Sequence, residues 1–196
     1  MTTTVFDTPL LTRLLRGLSK FLLTIFGWKI QNGLPDIPKF VLIAAPHTSS
    51  WDFIMMLATA FAIQARISWM GKDSLFRKPF GLFFKWCGGI PIDRSKPNGV
   101  VGEMTRSFNQ KPRLILVVAP EGTRGKVLQW KTGFYHIARS ANVPIVPGFL
   151  DFGRKQISFG AVYTPGEHVE TDIENLQALY AGMLGKNAGK TSDLKP

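Results

Sequence analysis

Apolar residues recur at Leu10, Leu11, Leu14, Leu15, Leu18, Phe21, Leu22, Ile25 and Phe26, the spacing of a helix with a wide apolar stripe. Thr8-Pro9 precedes it as an N-cap followed by proline at the first helical position. The pattern then changes. A loop rich in Gly and Pro (residues 32–38) leads into a short continuous apolar run at 40–44, the signature of a buried strand. Residues 52–65 are nearly all apolar, at the length of a buried helix and too short to cross a bilayer. Residues 67–70 read as a short strand, and a helix runs from Pro97 to about Phe108. Residues 114–119, Leu-Ile-Leu-Val-Val-Ala, give the clearest strand signal. A helix at 131–140, a strand at 144–150 and an edge strand at 157–163 follow. Thr171-Asp172-Ile173-Glu174 has the form of a capping box and opens a last helix reaching Met183.

Strands alternating with helices predict an α/β fold. The expected architecture is a single domain with a mostly parallel central sheet flanked by helices, preceded by an N-terminal amphipathic helical element. The division expected is 1–30 for a membrane-associating helix, 31–185 for the catalytic domain and 186–196 for a flexible polar tail.

Charge sharpens this picture. The 196 residues carry 24 Lys and Arg against 13 acids, a net +11, which implies an anionic partner. Nucleic acid, an anionic membrane surface and a phosphorylated substrate are all open on charge alone. The 15 Phe and five Trp tilt the choice towards lipid, because aromatics beside cations suit the bilayer interface. On the first helix Arg13, Arg16 and Lys20 lie off the apolar stripe, and no acid occurs between Asp7 and Asp36. Residues 72–89 hold five aromatics and four cations, which suits an acyl-chain pocket or an interfacial element as well as a core helix broken at Pro79. No secretory signal is read, and charges interrupt every apolar run before the ~18 residues a spanning helix needs. The single cysteine, Cys87, allows no intramolecular disulfide, and His47, His136 and His168 are not at metal-ligand spacing.

Candidate chemistry sits where apolar runs end. Ala-Pro-His-Thr-Ser-Ser-Trp-Asp at 45–52 follows the first buried strand. If His47 stands on the turn and Asp52 in the first turn of the helix, the carboxylate accepts from Nδ1 and leaves Nε2 free to take a proton. Pro46 argues for such a turn. Glu121-Gly122-Thr123-Arg124 ends the strand at 114–119, and Asp93-Arg94 ends another apolar step. Backbone N–H groups, a hydroxyl and guanidinium groups suit a phosphate. The nucleophile elbow G-x-S-x-G is absent, which points to direct transfer rather than a serine intermediate. Gly185-Lys186-Asn187-Ala188-Gly189-Lys190-Thr191 looks like a phosphate loop but is one residue short between its glycines and lacks a preceding strand.

These residues resemble a known family, the glycerolipid acyltransferases of the 1-acylglycerol-3-phosphate acyltransferase (PlsC) type. Four blocks occur in that family's order: His47 to Asp52 as H-x4-D, Gly88-Gly89-Ile90-Pro91-Ile92-Asp93-Arg94, Pro120-Glu121-Gly122-Thr123-Arg124, and Val143-Pro144-Ile145-Val146-Pro147. The resemblance implies that His47 deprotonates an acceptor hydroxyl, which attacks the thioester of acyl-CoA or acyl carrier protein, while Asp52 orients His47. It implies that Arg94, Glu121, Gly122, Thr123 and Arg124 position a lysophospholipid acceptor, 1-acylglycerol-3-phosphate first, in phospholipid biosynthesis. No cofactor, metal or nucleic acid is implied. The expected location is the cytoplasmic face of a membrane, as a peripheral or monotopic protein. Pro46, Ala119 and Gly125 depart from the family's usual residues and leave the acceptor open to another hydroxyl-bearing lipid. A non-catalytic basic binder of lipid or nucleic acid is the alternative.

Overall fold

A computed structural model describes residues 3–93 and 97–192. Its centre is a seven-stranded sheet in the order β1-β7-β6-β2-β5-β3-β4. The strands are β1 (Lys29–Gln31), β2 (Lys39–Ala45), β3 (Ile67–Lys72), β4 (Gly89–Ile92), β5 (Leu114–Val118), β6 (Ile145–Asp151) and β7 (Gln156–Phe159). Every pairing is parallel except β6 with β7, a hairpin. The expected α/β class with a mostly parallel sheet is therefore what forms.

The sheet is built on alternation along strands buried on both faces. From β2, Val41, Ile43 and Ala45 point to one face, where Met104 and Phe108 of α4 (Pro97–Gln110) pack beside Phe134 and Ile137 of α5 (Gly133–Ser140) and Leu176 of α6 (Val169–Ala178). Phe40 and Leu42 point to the other face. There they meet Met55 and Ala60 of α2 (Trp51–Ala62) and Leu23 of α1 (Pro9–Ile25). Residues 72–89 divide between a buried and an exposed part. Phe76 and Phe84, the latter on α3 (Gly81–Trp86), join Phe53 and Trp69 in an aromatic cluster on this second face. Phe80, Leu82 and Phe83 are exposed.

Two expectations are corrected. Residues 157–163 do not form an edge strand, because β1 pairs outside β7; only an isolated bridge, Ile145 with Tyr163, extends the pattern. Thr171 does not cap the last helix, which begins at Val169 after His168. Asp172 is engaged elsewhere: it accepts from the hydroxyls of Tyr135 and Tyr163, both at 2.7 Å, and from the N–H of Gly166.

The α1 helix starts at Pro9 after Thr8, as its sequence predicts. Its buried side is Ser19 and Leu23, packed over α2. The stripe formed by Leu10, Leu14, Leu18, Phe21 and Ile25 is exposed, with Leu10 81% and Leu14 69% accessible. Among the described residues no helix is long and apolar enough to cross a membrane.

Candidate active site

The first seven residues after β2 form the site's core. Strands β2 and β5 are parallel neighbours, with Ile43 opposite Val118. Their ends therefore deliver the turn at 46–50 and the turn at 119–125 to the same edge of the sheet. That edge, outside the carboxyl ends of parallel strands, is where α/β folds place ligands.

On the first turn, His47 Nδ1 lies 2.9 Å from Oδ2 of Asp52, which stands in the first turn of α2. The same oxygen accepts the backbone N–H groups of Thr48 and Ser49, both at 2.8 Å. Asp52 is 6% exposed and its Oδ1 has no partner among the described residues. A carboxylate without its proton only accepts, so beside it a neutral imidazole carries its hydrogen on Nδ1 and presents the lone pair of Nε2. The helix N-terminus favours the negative charge. The five-residue spacing works because the chain turns between the two side chains instead of running through one helix.

On the second turn, Glu121 points back under the first. Its Oε1 accepts the backbone N–H of His47 at 2.9 Å, and it is 4% exposed. Burial pushes its carboxyl above the ordinary range; its own N–H and that of His47 pull it back, and the nearby Asp52 charge pushes it further up. Oε2 is buried and has no partner among the described residues, and Glu121 lines a small recess with Ala45, Pro46, Tyr180, Thr191 and Ser192. Gly122 follows at φ +66°, the left-handed region that glycine adopts without strain, and reverses the chain over Lys131. Thr123 and Arg124 are exposed beyond it, open to an anionic ligand.

The structure thus joins His47, Asp52 and Glu121 directly and carries Gly122, Thr123 and Arg124 on the same loop as Glu121. Arg94 lies outside the described residues. The strand before it, β4, is parallel to β3 and ends at the same edge, three strand spacings from β2, on the order of 14 Å. The backbone donors of Thr48 and Ser49 were invisible to residue-type reasoning, because backbone groups carry no sequence signature. A further contact comes from the far end of the chain. Asn187 donates its backbone N–H to Thr48 Oγ1 at 3.1 Å and its side-chain amide to Thr48 O at 2.9 Å. Part of the segment expected to be a loose tail therefore touches the site. Among the described residues no three of His, Cys, Asp and Glu cluster to hold a metal ion.

Comparison with known proteins follows the same residues. The model of a family described as Acyltransferase matches residues 31–150, from β1 to β6 and including both turns. Among curated relatives, 1-acyl-sn-glycerol-3-phosphate acyltransferases of Haemophilus influenzae and Escherichia coli are each 32% identical over 133 residues, covering 63% of this chain and 54% and 53% of theirs. One from Streptococcus pneumoniae is 31% identical over 143 residues, 68% of this chain and 51% of its own. The chain spans about half the length of the curated relatives it matches. A crystal structure of the 1-acyl-sn-glycerophosphate acyltransferase PlsC from Thermotoga maritima has the same fold, with a TM-score of 0.53 at 16% identity over 84% of this chain and 78% of that one. With the family match running through both strand ends that carry the His-Asp pair and its buried glutamate, this chain belongs to the acyltransferase family.

Proposed function

We propose that the protein transfers a fatty acyl group from a thioester, acyl-CoA or acyl carrier protein, to the free hydroxyl of a lysophospholipid, 1-acylglycerol-3-phosphate first. The single observation that carries this reading is the His47 Nδ1–Asp52 Oδ2 hydrogen bond at the end of β2, which leaves Nε2 as a base. The names of the relatives support the acceptor.

In this reading Nε2 of His47 takes the hydroxyl proton as the acceptor oxygen attacks the thioester carbonyl. A C–O bond forms and a tetrahedral oxyanion results. When it collapses, the C–S bond breaks and the thiolate leaves, taking up the proton from the imidazolium. Asp52 holds the ring's orientation and offsets its charge while it is protonated. Arg124 and Arg94, with the backbone of Gly122 and the hydroxyl of Thr123, hold the acceptor phosphate. Glu121 acts from beneath, on the backbone of His47, and so helps to hold the base under the acceptor.

The reading places the reaction at an anionic membrane surface, on which the protein is peripheral or monotopic. Its support is the exposed stripe of α1 together with the exposed cations Arg13 and Lys20 beside it. Phe80, Leu82 and Phe83 add apolar surface on an element packed against the same face of the sheet. The test is a screen of acceptor lipids with one labelled acyl thioester. Product is expected with 1-acylglycerol-3-phosphate and weaker with lysolipids lacking the phosphate monoester. Equal transfer to uncharged hydroxyl lipids would remove the arginine–phosphate part of the assignment.

A further inference from the structure

Residues 185–192 lie beyond the stretch matched by the family model. They nevertheless run across three strand ends of the site. At one side the backbone N–H of Phe152, just after β6, donates to Leu184 O at 2.8 Å. In the middle, Gly185 lies so close to Thr48 that a Cβ on it would overlap the threonine side chain. Asn187 then grips Thr48 twice, through its backbone N–H to Oγ1 and its amide to O. Lys186 sits over the rings of Trp51 and Phe152, at 5.9 Å and 5.8 Å. At the far side Ser192 Oγ accepts the N–H of Val127, which follows the Glu121 turn. The segment closes on itself through the N–H of Gly185 and Thr191 Oγ1 at 3.0 Å.

Thr48 is the residue this segment holds, and Thr48 is also the link between His47 and Asp52. It is 2% exposed, and its N–H donates to the carboxylate oxygen that orients the imidazole. Asn187 donates to both its carbonyl and its hydroxyl. A turn is the least constrained part of a fold, and a loose His47 turn would let the ring leave Asp52. The family-matched region provides the Asp52 and Glu121 contacts to this turn; the third constraint comes from outside it.

We infer that Asn187 is a positioning residue for the acyl transfer proposed above: by holding Thr48 it fixes the turn that keeps His47 Nδ1 on Asp52. This rests on the transfer reading for its kinetic consequence, while its structural consequence stands alone. Asn187 is exposed, so its side chain is replaceable without loss of core.

The experiment compares the full chain with Asn187→Ala and Asn187→Asp, the second keeping the shape but losing the amide donor. Two properties are read. One is acyl transfer from a labelled acyl thioester to 1-acylglycerol-3-phosphate. The other is the downfield proton resonance of His47 Nδ1–H in the hydrogen bond to Asp52. Both variants are expected to stay folded and to melt cooperatively within about 5 °C of the wild type, to lose about tenfold in kcat with KM little changed, and to show that resonance broadened by exchange. A sharp, unshifted resonance together with wild-type kcat in both variants overturns the inference and leaves the transfer reading intact. If the wild-type protein transfers nothing, the transfer reading fails, and the resonance alone decides whether Asn187 holds the turn.

Discussion

Glu121 Oε1 accepts the backbone N–H of His47 at 2.9 Å, so the second turn of the site is fastened under the first by a buried carboxylate. The contact uses a backbone donor, so it fixes where the histidine stands without occupying its ring. Removing the acceptor leaves a buried N–H unpaired, at a cost of about 1–3 kcal/mol. Glu121→Ala is expected to lower both thermal stability and kcat, whereas Glu121→Gln keeps an acceptor oxygen and loses less of each. Equal losses in the two variants, measured by melting and initial rates, would show that the hydrogen bond is not what matters.

The same residue gives the protein a pH signature. Burial raises the Glu121 carboxyl above its ordinary value of 4.5. A raised folded-state value favours the protonated form, so its stabilising contribution is complete below the ordinary value and is lost as pH rises through the raised one. The melting-temperature difference between Glu121→Gln and wild type is therefore expected to move in favour of the glutamine variant as pH rises from about 4 through the neutral range. A difference that stays constant with pH would contradict burial as the cause.

Asp52 takes three donors on one oxygen: His47 Nδ1 and the N–H groups of Thr48 and Ser49. Asp52→Ala orphans all three and is expected to cost roughly 2–4 kcal/mol of stability as well as activity. Asp52→Asn keeps the volume and an acceptor oxygen, and is expected to hold most of the stability while kcat falls by about a hundredfold or more. Denaturant unfolding and rate measurements on the pair separate the two roles. An Asp52→Asn variant with full kcat would remove the orienting role.

The α1 stripe makes a prediction that a deletion could not test cleanly. Val5 and Phe6 are 1% and 6% exposed and Leu23 is 6% exposed, so removing the first helix would also strip core. Leu14→Glu with Phe21→Glu instead places charge on residues that are 69% and 61% exposed. The melting temperature is expected to change little, while binding to vesicles containing anionic lipid falls by at least about tenfold. Unchanged vesicle binding would take this helix out of the membrane reading.

Much of the architecture was legible because it rests on long uninterrupted signals. β2 after Lys39 and β5 are continuous apolar runs, and α2 after Asp52 is apolar except for Thr59. What escaped is what depends on partners far along the chain. β1 is three residues of mixed exposure with no pattern of its own, formed only because β7 offers an edge, and its presence is what moves β7 inward. The supposed cap at Thr171 falls inside a helix that already begins at Val169, with His168 at its N-cap. At the site, the residue types His47, Asp52 and Glu121 could be read, but that Glu121 serves the backbone of His47 could not. The grip of Asn187 on Thr48 spans 139 positions, and no local pattern announces it.

Acyl transfer in the proposed reading depends on Nε2 of His47 acting as the base. The direct measurement is single-turnover transfer of a labelled acyl group from its thioester to 1-acylglycerol-3-phosphate by wild-type protein and by His47→Ala, with folding of both checked by their melting curves. Product is expected with the wild type, and a rate about a thousandfold lower with the folded variant. Transfer at the wild-type rate by folded His47→Ala would contradict it.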